Sequence, residues 1–223
     1  MSRRNLPDNP RLPAASRELP CSGSLVARSS RLIAENEFSL TRRGNVFILT
    51  LVSPDGMNRL TREKVAALRA DLQNLAHAPA PLIIYGEHNF SAGADLNEIR
   101  SLTGPAALDF ARLGQSLMNA ITSFPAPVIA AISGHCMGGG VDLALACHRR
   151  IASPHAVFGH RGAALGLITG WGGTQRLPRL VGKARALQMF LAAEKLHAPQ
   201  ALQAGLVDVI AEDPLAAALE AAP

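Results

Sequence analysis

Three small-residue stretches hold the residues most able to do chemistry. The longest, GHRGAALGLITGWGGTQR from Gly159 to Arg176, has six glycines, one tryptophan, three basic or potentially basic side chains and no carboxylate. Two others, Ser91-Ala92-Gly93-Ala94-Asp95-Leu96 and Gly134-His135-Cys136-Met137-Gly138-Gly139-Gly140, each follow an apolar run and lead toward a helical pattern. Small residues let a ligand approach the main chain, and a helix N-terminus offers unpaired N–H groups in a favourable dipole. Such loops bind an anion, or stabilise one as it forms. Neither G-x-G-x-x-G nor G-x-x-x-x-G-K-[ST] occurs, which argues against dinucleotide and P-loop sites. G-x-S-x-G and H-E-x-x-H are also missing, so a serine-hydrolase elbow and a zinc-protease helix are not indicated.

The elements that must position these loops follow from the apolar periodicity. Glu37–Thr41 and Val46–Val52 flank the turn Arg42-Arg43-Gly44-Asn45 and predict a β-hairpin. Leu60-Thr61-Arg62-Glu63 opens a helix whose Val65, Leu68, Leu72 and Leu75 recur at three- and four-residue spacing. Pro81–Tyr85 and Val128–Ile132 read as buried strands, and residues 105–123 between them as a helix closed by Phe124-Pro125-Ala126-Pro127. Gly138–Cys147 is predicted helical and Arg149–Ala152 a short strand. The tail reads as helices over 184–193 and 199–204, then a strand over 206–210. Alternating strands and helices predict an α/β fold with at least partly parallel strands.

Composition narrows the classes further. The chain has 223 residues, 48% of them hydrophobic, enough to bury a substantial core. Its net charge is +5, but residues 1–34 carry six arginines against Asp8 and Glu18, leaving the remainder near +1. With only scattered basic residues and almost no aromatic interleaving, that body is not patterned for nucleic acid. No apolar run approaches the 18 or so residues of a membrane span. Three cysteines, Cys21, Cys136 and Cys147, without C-x-x-C spacing argue against a disulfide framework or zinc site and for a reducing, cytoplasm-like compartment. The arginine-rich head admits a mitochondrial transit peptide, although Pro7, Pro10, Pro13 and Pro20 spoil an amphipathic helix and favour a disordered extension.

The segments HNFSAGADLNEI, GHCMGGGVDLALACHRRIAS and GWGGTQRLPRLVGKARALQMFLAAEKLHAPQALQAGLVDVI, in this order and at these distances, resemble the enoyl-CoA hydratase/isomerase, or crotonase, family from about Phe38 to Asp213. The resemblance implies a crotonase-like (ClpP/crotonase) spiral of ββα units over residues 35–213, with a helical C-terminus over 214–223 that is short for the family. It implies an acyl-CoA substrate, no cofactor beyond that coenzyme A, no metal, and a homotrimer or hexamer. The N–H groups of Ala94 and Gly139 would form an oxyanion hole for the thioester carbonyl. Asn58, Leu60, Phe90, Ala92, Gly93, Asp95, Leu96, Gly138, Gly162 and Trp171 fall at positions lining the substrate channel.

The acid–base positions depart from the family pattern. Hydratases of the family carry one glutamate just after the triple-glycine turn and a second about twenty residues later. The first place holds Asp142 and the second Gly162; a third carboxylate site, used by isomerase and dehalogenase relatives, holds Gly170. A single base, Asp142, suits proton transfer between carbons better than two-carboxylate hydration. Gly162 beside His160 and Arg161 also suggests the bicarbonate-using arrangement of naphthoate-synthase relatives. The competing class is an acyl-CoA-binding homologue with weak chemistry or none. For single residues the plainer readings are that His135 and His160 are bystanders, Asp95 a helix N-cap, Lys183 a helix start and Trp171 core filling.

Overall fold

A computed structural model describes residues 38–223 of the chain. The basic extension expected over residues 1–34 lies outside the described residues.

The hairpin forms as the alternation predicts: β1 (Phe38–Arg43) pairs antiparallel with β2 (Val46–Leu51), Arg43 opposite Val46. Helix α1 (Arg62–Leu75) starts at Thr61, whose hydroxyl accepts from the Lys64 N–H, and buries the predicted stripe of Val65, Leu68, Leu72 and Leu75. Next come β3 (Leu82–Gly86), α2 (Leu96–Ser101), α3 (Gly104–Thr122), β4 (Val128–Ile132), β5 (His135–Met137) and α4 (Gly139–Ala146). After β6 (Arg149–Ala152) and β7 (Val157–Gly159), Arg161–Leu165 forms a 3-10 turn. The chain then runs α5 (Gly173–Val181), α6 (Lys183–Leu191), β8 (Lys195–His197), α7 (Ala198–Gln203), β9 (Val209–Ile210) and α8 (Pro214–Ala221).

One sheet has the order β1-β2-β3-β4-β6-β9, parallel from β2 to β9; a second has the order β5-β7-β8. Two successive units, β4-β5-α4 and β6-β7-α5, each send one strand to the large sheet and one to the small sheet before a helix. That alternation is the expected spiral of ββα turns. Both faces of the large sheet are covered, which explains its continuous apolar strands. Leu82, Ile84, Val128, Ala130 and Ile132 face the main core, while Ile83, Ile129, Ala131 and Ile151 point to a smaller cluster closed by Ala218 of α8.

The expected strand over 206–210 is corrected. Only Val209–Ile210 pair with β6, while Leu206 and Val207 turn into the core and their N–H groups bond to the Ala201 carbonyl. The adjoining Arg150 is buried but fully engaged: its guanidinium donates to the Leu206 and Cys147 carbonyls and pairs with Asp208 at 2.9 Å. Among the described residues no helix is long and apolar enough to cross a membrane.

Candidate active site

The small sheet and its loops build the site. Ser91 forms an isolated parallel bridge with Cys136 of β5, and Ala94 forms another with Leu60. The Ser91 carbonyl accepts from the Met137 N–H at 2.9 Å, and its hydroxyl donates to the Asn58 carbonyl while accepting from the Gly93 N–H. On the other side Asp95 caps α2, its Oδ1 accepting from the N–H groups of Asn97 and Glu98 at 2.8 and 3.1 Å. Ala94 is therefore held from both ends.

That fixation brings two N–H groups side by side. A Cβ added to Gly139 would lie 3.3 Å from the Ala94 nitrogen, and one added to Gly93 would lie 2.8 Å from the Gly139 nitrogen. Neither N–H finds an acceptor among the described residues. Gly139 is the first residue of α4, where intrahelical acceptors are lacking by geometry.

The two groups open on a cavity of about 530 Å³, a size suited to a small organic ligand, with a mostly apolar wall. Ala92, Ala94, Leu96, Gly138, Gly139, Asp142, Gly162 and Trp171, all named from the sequence, line it. Asn58, Leu60, Phe90, Gly93 and Asp95 do not line it, and Asp95 faces a separate pocket with Asp55, Arg59 and Thr61. Leu60 and Phe90 are core residues, and the Asn58 amide donates to the Asn89 carbonyl at 2.7 Å. Leu60 and Asn58 hold the Ala94 loop, Leu60 through its bridge to Ala94 and Asn58 through its carbonyl, which accepts from the Ser91 hydroxyl. Leu165, Leu167 and Ile168 are exposed at the cavity's outer wall.

Trp171 both walls the cavity and fills core. It is buried, meets the Phe110 ring edge-on at 5.3 Å, and occupies a slot that exists because positions 114 and 139 lack side chains. A Cβ on Gly139 would come within 2.6 Å of the indole.

Asp142 is 1% exposed. Its Oδ2 accepts from the Thr169 hydroxyl, while Oδ1 has no hydrogen-bond partner among the described residues and lies 3.7 Å from Nε2 of His160, beyond hydrogen-bond reach. Burial pushes the carboxyl up from 3.8 to about 7, against the opposing influences of the Thr169 hydroxyl, the Arg176 charge and the N–H groups of Gly173 and Trp171. Burial pushes the His160 imidazole down to about 4, so it is neutral at physiological pH. His160 packs on Phe190, with ring centroids 5.0 Å apart. Sequence reasoning passed over Thr169; a hydroxyl 27 residues from its partner leaves no local signal. His135 is exposed, with Nδ1 2.9 Å from the Asn89 side chain, and is not on the cavity wall. Lys183 is the first residue of α6, as its plainer reading had it.

The sequence matches the enoyl-CoA hydratase/isomerase family over residues 41–221. The chain belongs to the enoyl-CoA hydratase/isomerase family. Among solved structures it resembles Pseudomonas aeruginosa DspI (34% identity, TM-score 0.80, covering 83% of this chain and 72% of that one). It also resembles the enoyl-CoA hydratases of Thermoplasma volcanium (33%, TM-score 0.79, 83% and 75%) and Bacillus anthracis (32%, TM-score 0.76, 83% and 73%).

Gly162 lines the cavity, but its own Cβ position is closed, so the backbone there does not accommodate a second glutamate. A Cβ there would meet the Leu167 carbonyl oxygen at 2.7 Å, and the Leu167 N–H already donates to the Gly162 carbonyl at 2.8 Å. His160, buried beside Asp142, and the exposed Arg161 line the same cavity as Gly162. Gly162→Glu is accordingly expected to lower the melting temperature by several degrees and to add no 2-enoyl-CoA hydration. A well-folded variant with increased hydration would contradict this packing.

Proposed function

We propose that the protein acts on acyl-CoA thioesters through an enolate, with a single-base reaction such as double-bond isomerisation favoured over hydration. The observation that carries this is the pair of unpartnered N–H groups of Ala94 and Gly139, facing an apolar cavity with one carboxylate on its wall. A thioester carbonyl bound there gains negative charge as the neighbouring carbon loses a proton, and fixed donors stabilise that charge more than the ground state. One such donor is worth roughly 3–4 kcal/mol. Asp142, with its raised pKa, exchanges protons near neutral pH without large cost in either direction. Coenzyme A enters as part of the substrate, and no separate cofactor is invoked.

The binding-only reading draws on one observation, the burial of Asp142 beneath Thr169. A panel of 2-enoyl, 3-enoyl and 3-hydroxyacyl-CoA thioesters separates the two. Interconversion of 2- and 3-enoyl forms is the expected result; binding without turnover of any thioester would leave the protein as a binder.

A further inference from the structure

The remaining difficulty is how a carboxylate as enclosed as Asp142 exchanges a proton with a substrate. Its Oδ1 is turned away from solvent, close enough to Gly173 that a side chain there would collide with it, and its Oδ2 is covered by the Thr169 hydroxyl. Thr169 itself is half-buried and lines the cavity. Its methyl group is directed toward Gly173, where an added Cβ would lie 2.9 Å from it, and its hydroxyl bonds to Asp142 at the wall of the cavity that both residues line. That hydroxyl donates to Asp142 and accepts no hydrogen bond among the described residues.

We infer that Thr169 is a catalytic residue, the hydroxyl that carries the proton between the acyl chain and Asp142. This rests on the enolate reading above. In the forward step the C–H bond next to the thioester breaks and its proton passes to Thr169 Oγ1, while the hydroxyl proton moves to Asp142 Oδ2. The electron pair stays on the substrate as the enolate, whose oxygen is held by the N–H groups of Ala94 and Gly139. Reversal of the two transfers at a different carbon completes an isomerisation and restores both side chains. No oxidant or co-reactant is needed.

The test uses the full chain and butanoyl-CoA, following exchange of the α-protons in deuterated water by NMR. The sole tryptophan, Trp171, lies on the cavity wall and reports binding by fluorescence in the same samples. Thr169→Val is expected to bind butanoyl-CoA with unchanged affinity and to exchange about 100-fold more slowly, within the range for losing a proton-transferring group. Thr169→Ser is expected to restore most of the rate. The hydroxyl also holds the Asp142 pKa down, so residual exchange in the valine variant should have its pH midpoint displaced upward. His160, Arg176 and Cys136, the other ionisable groups acting on or influenced by Asp142, are unaltered by the substitution. Wild-type exchange rates in Thr169→Val, or equally slow exchange in Thr169→Ser, would overturn the relay while leaving the enolate reading standing. Wild-type protein that binds butanoyl-CoA but exchanges nothing would overturn that reading and the relay with it.

Discussion

Asp142→Asn is expected to lower turnover about 100-fold or more while making the folded chain more stable, relative to wild type, as the pH rises. The loss of turnover follows from removing the one carboxylate on the cavity wall, a change worth roughly 10²–10⁴-fold for a group that transfers a proton. Because Asp142 must be ionised to accept a proton, wild-type turnover should rise with pH through about 7 and level off above it.

The stability effect follows from the same burial. In the unfolded chain the carboxyl returns to its ordinary 3.8, while in the folded chain it titrates at about 7. Below pH 4 both states hold the proton and the group is neutral in each. Between those values the folded chain binds the extra proton, so the Asp142 contribution falls as pH rises, by about 4 kcal/mol in all. His160 acts oppositely: its lowered pKa makes folding less favourable as the pH drops from 6.5 toward 4. In wild type the two slopes largely cancel across that window. The asparagine variant exposes the histidine slope alone, so its advantage over wild type should grow from pH 4 to 7 and stay constant beyond. Urea unfolding of both proteins at pH 4.5, 6 and 8 checks this; an advantage independent of pH would mean that Asp142 does not titrate as its burial requires.

Gly93→Ala is expected to damage the site more than the fold. Gly93 has φ +91°, where a side chain is strained, and an added Cβ would fall 2.6 Å from the Met137 carbonyl oxygen and 2.8 Å from the Gly139 nitrogen. The two loops would have to separate, taking the Ala94 and Gly139 N–H groups out of line. Losing the use of one such donor lowers turnover about 10²–10³-fold, while strain at the backbone costs about 1–3 kcal/mol of stability. Thermal melting followed by circular dichroism, set beside turnover of the best thioester from the panel, measures both. Wild-type turnover in a folded variant would detach the Gly93 contact from the alignment of the two N–H groups.

The elements with sustained periodicity were legible before the structure. Val65, Leu68, Leu72 and Leu75 mark α1 unambiguously, and the apolar runs of β3 and β4 follow from burial on both faces. Strands β5, β7 and β8 have three residues each, too few to show a period of two, and they exist because they pair with one another. Helix α5 was hidden by Pro178 within it and by the two glycines at its start. At the site, the family resemblance pointed to Ala94 and Gly139, and the folded loops bring these two residues side by side. The obstruction at the Cβ position of Gly162 was invisible, since it is made by the Leu167 carbonyl, a group every residue possesses. Thr169 was invisible for a related reason: its meaning depends on folding a loop back onto α4.

In the enolate reading a thioester carbonyl sits between the N–H groups of Ala94 and Gly139. Infrared difference spectroscopy of butanoyl-CoA labelled with ¹³C at the carbonyl, bound to the protein, tests it most directly. Two hydrogen bonds from fixed donors polarise the C=O bond, so its stretch should move to clearly lower frequency on binding and recover much of its free value in Gly93→Ala. A bound thioester whose carbonyl frequency matches that in water, with Trp171 fluorescence showing full occupancy, would contradict the account.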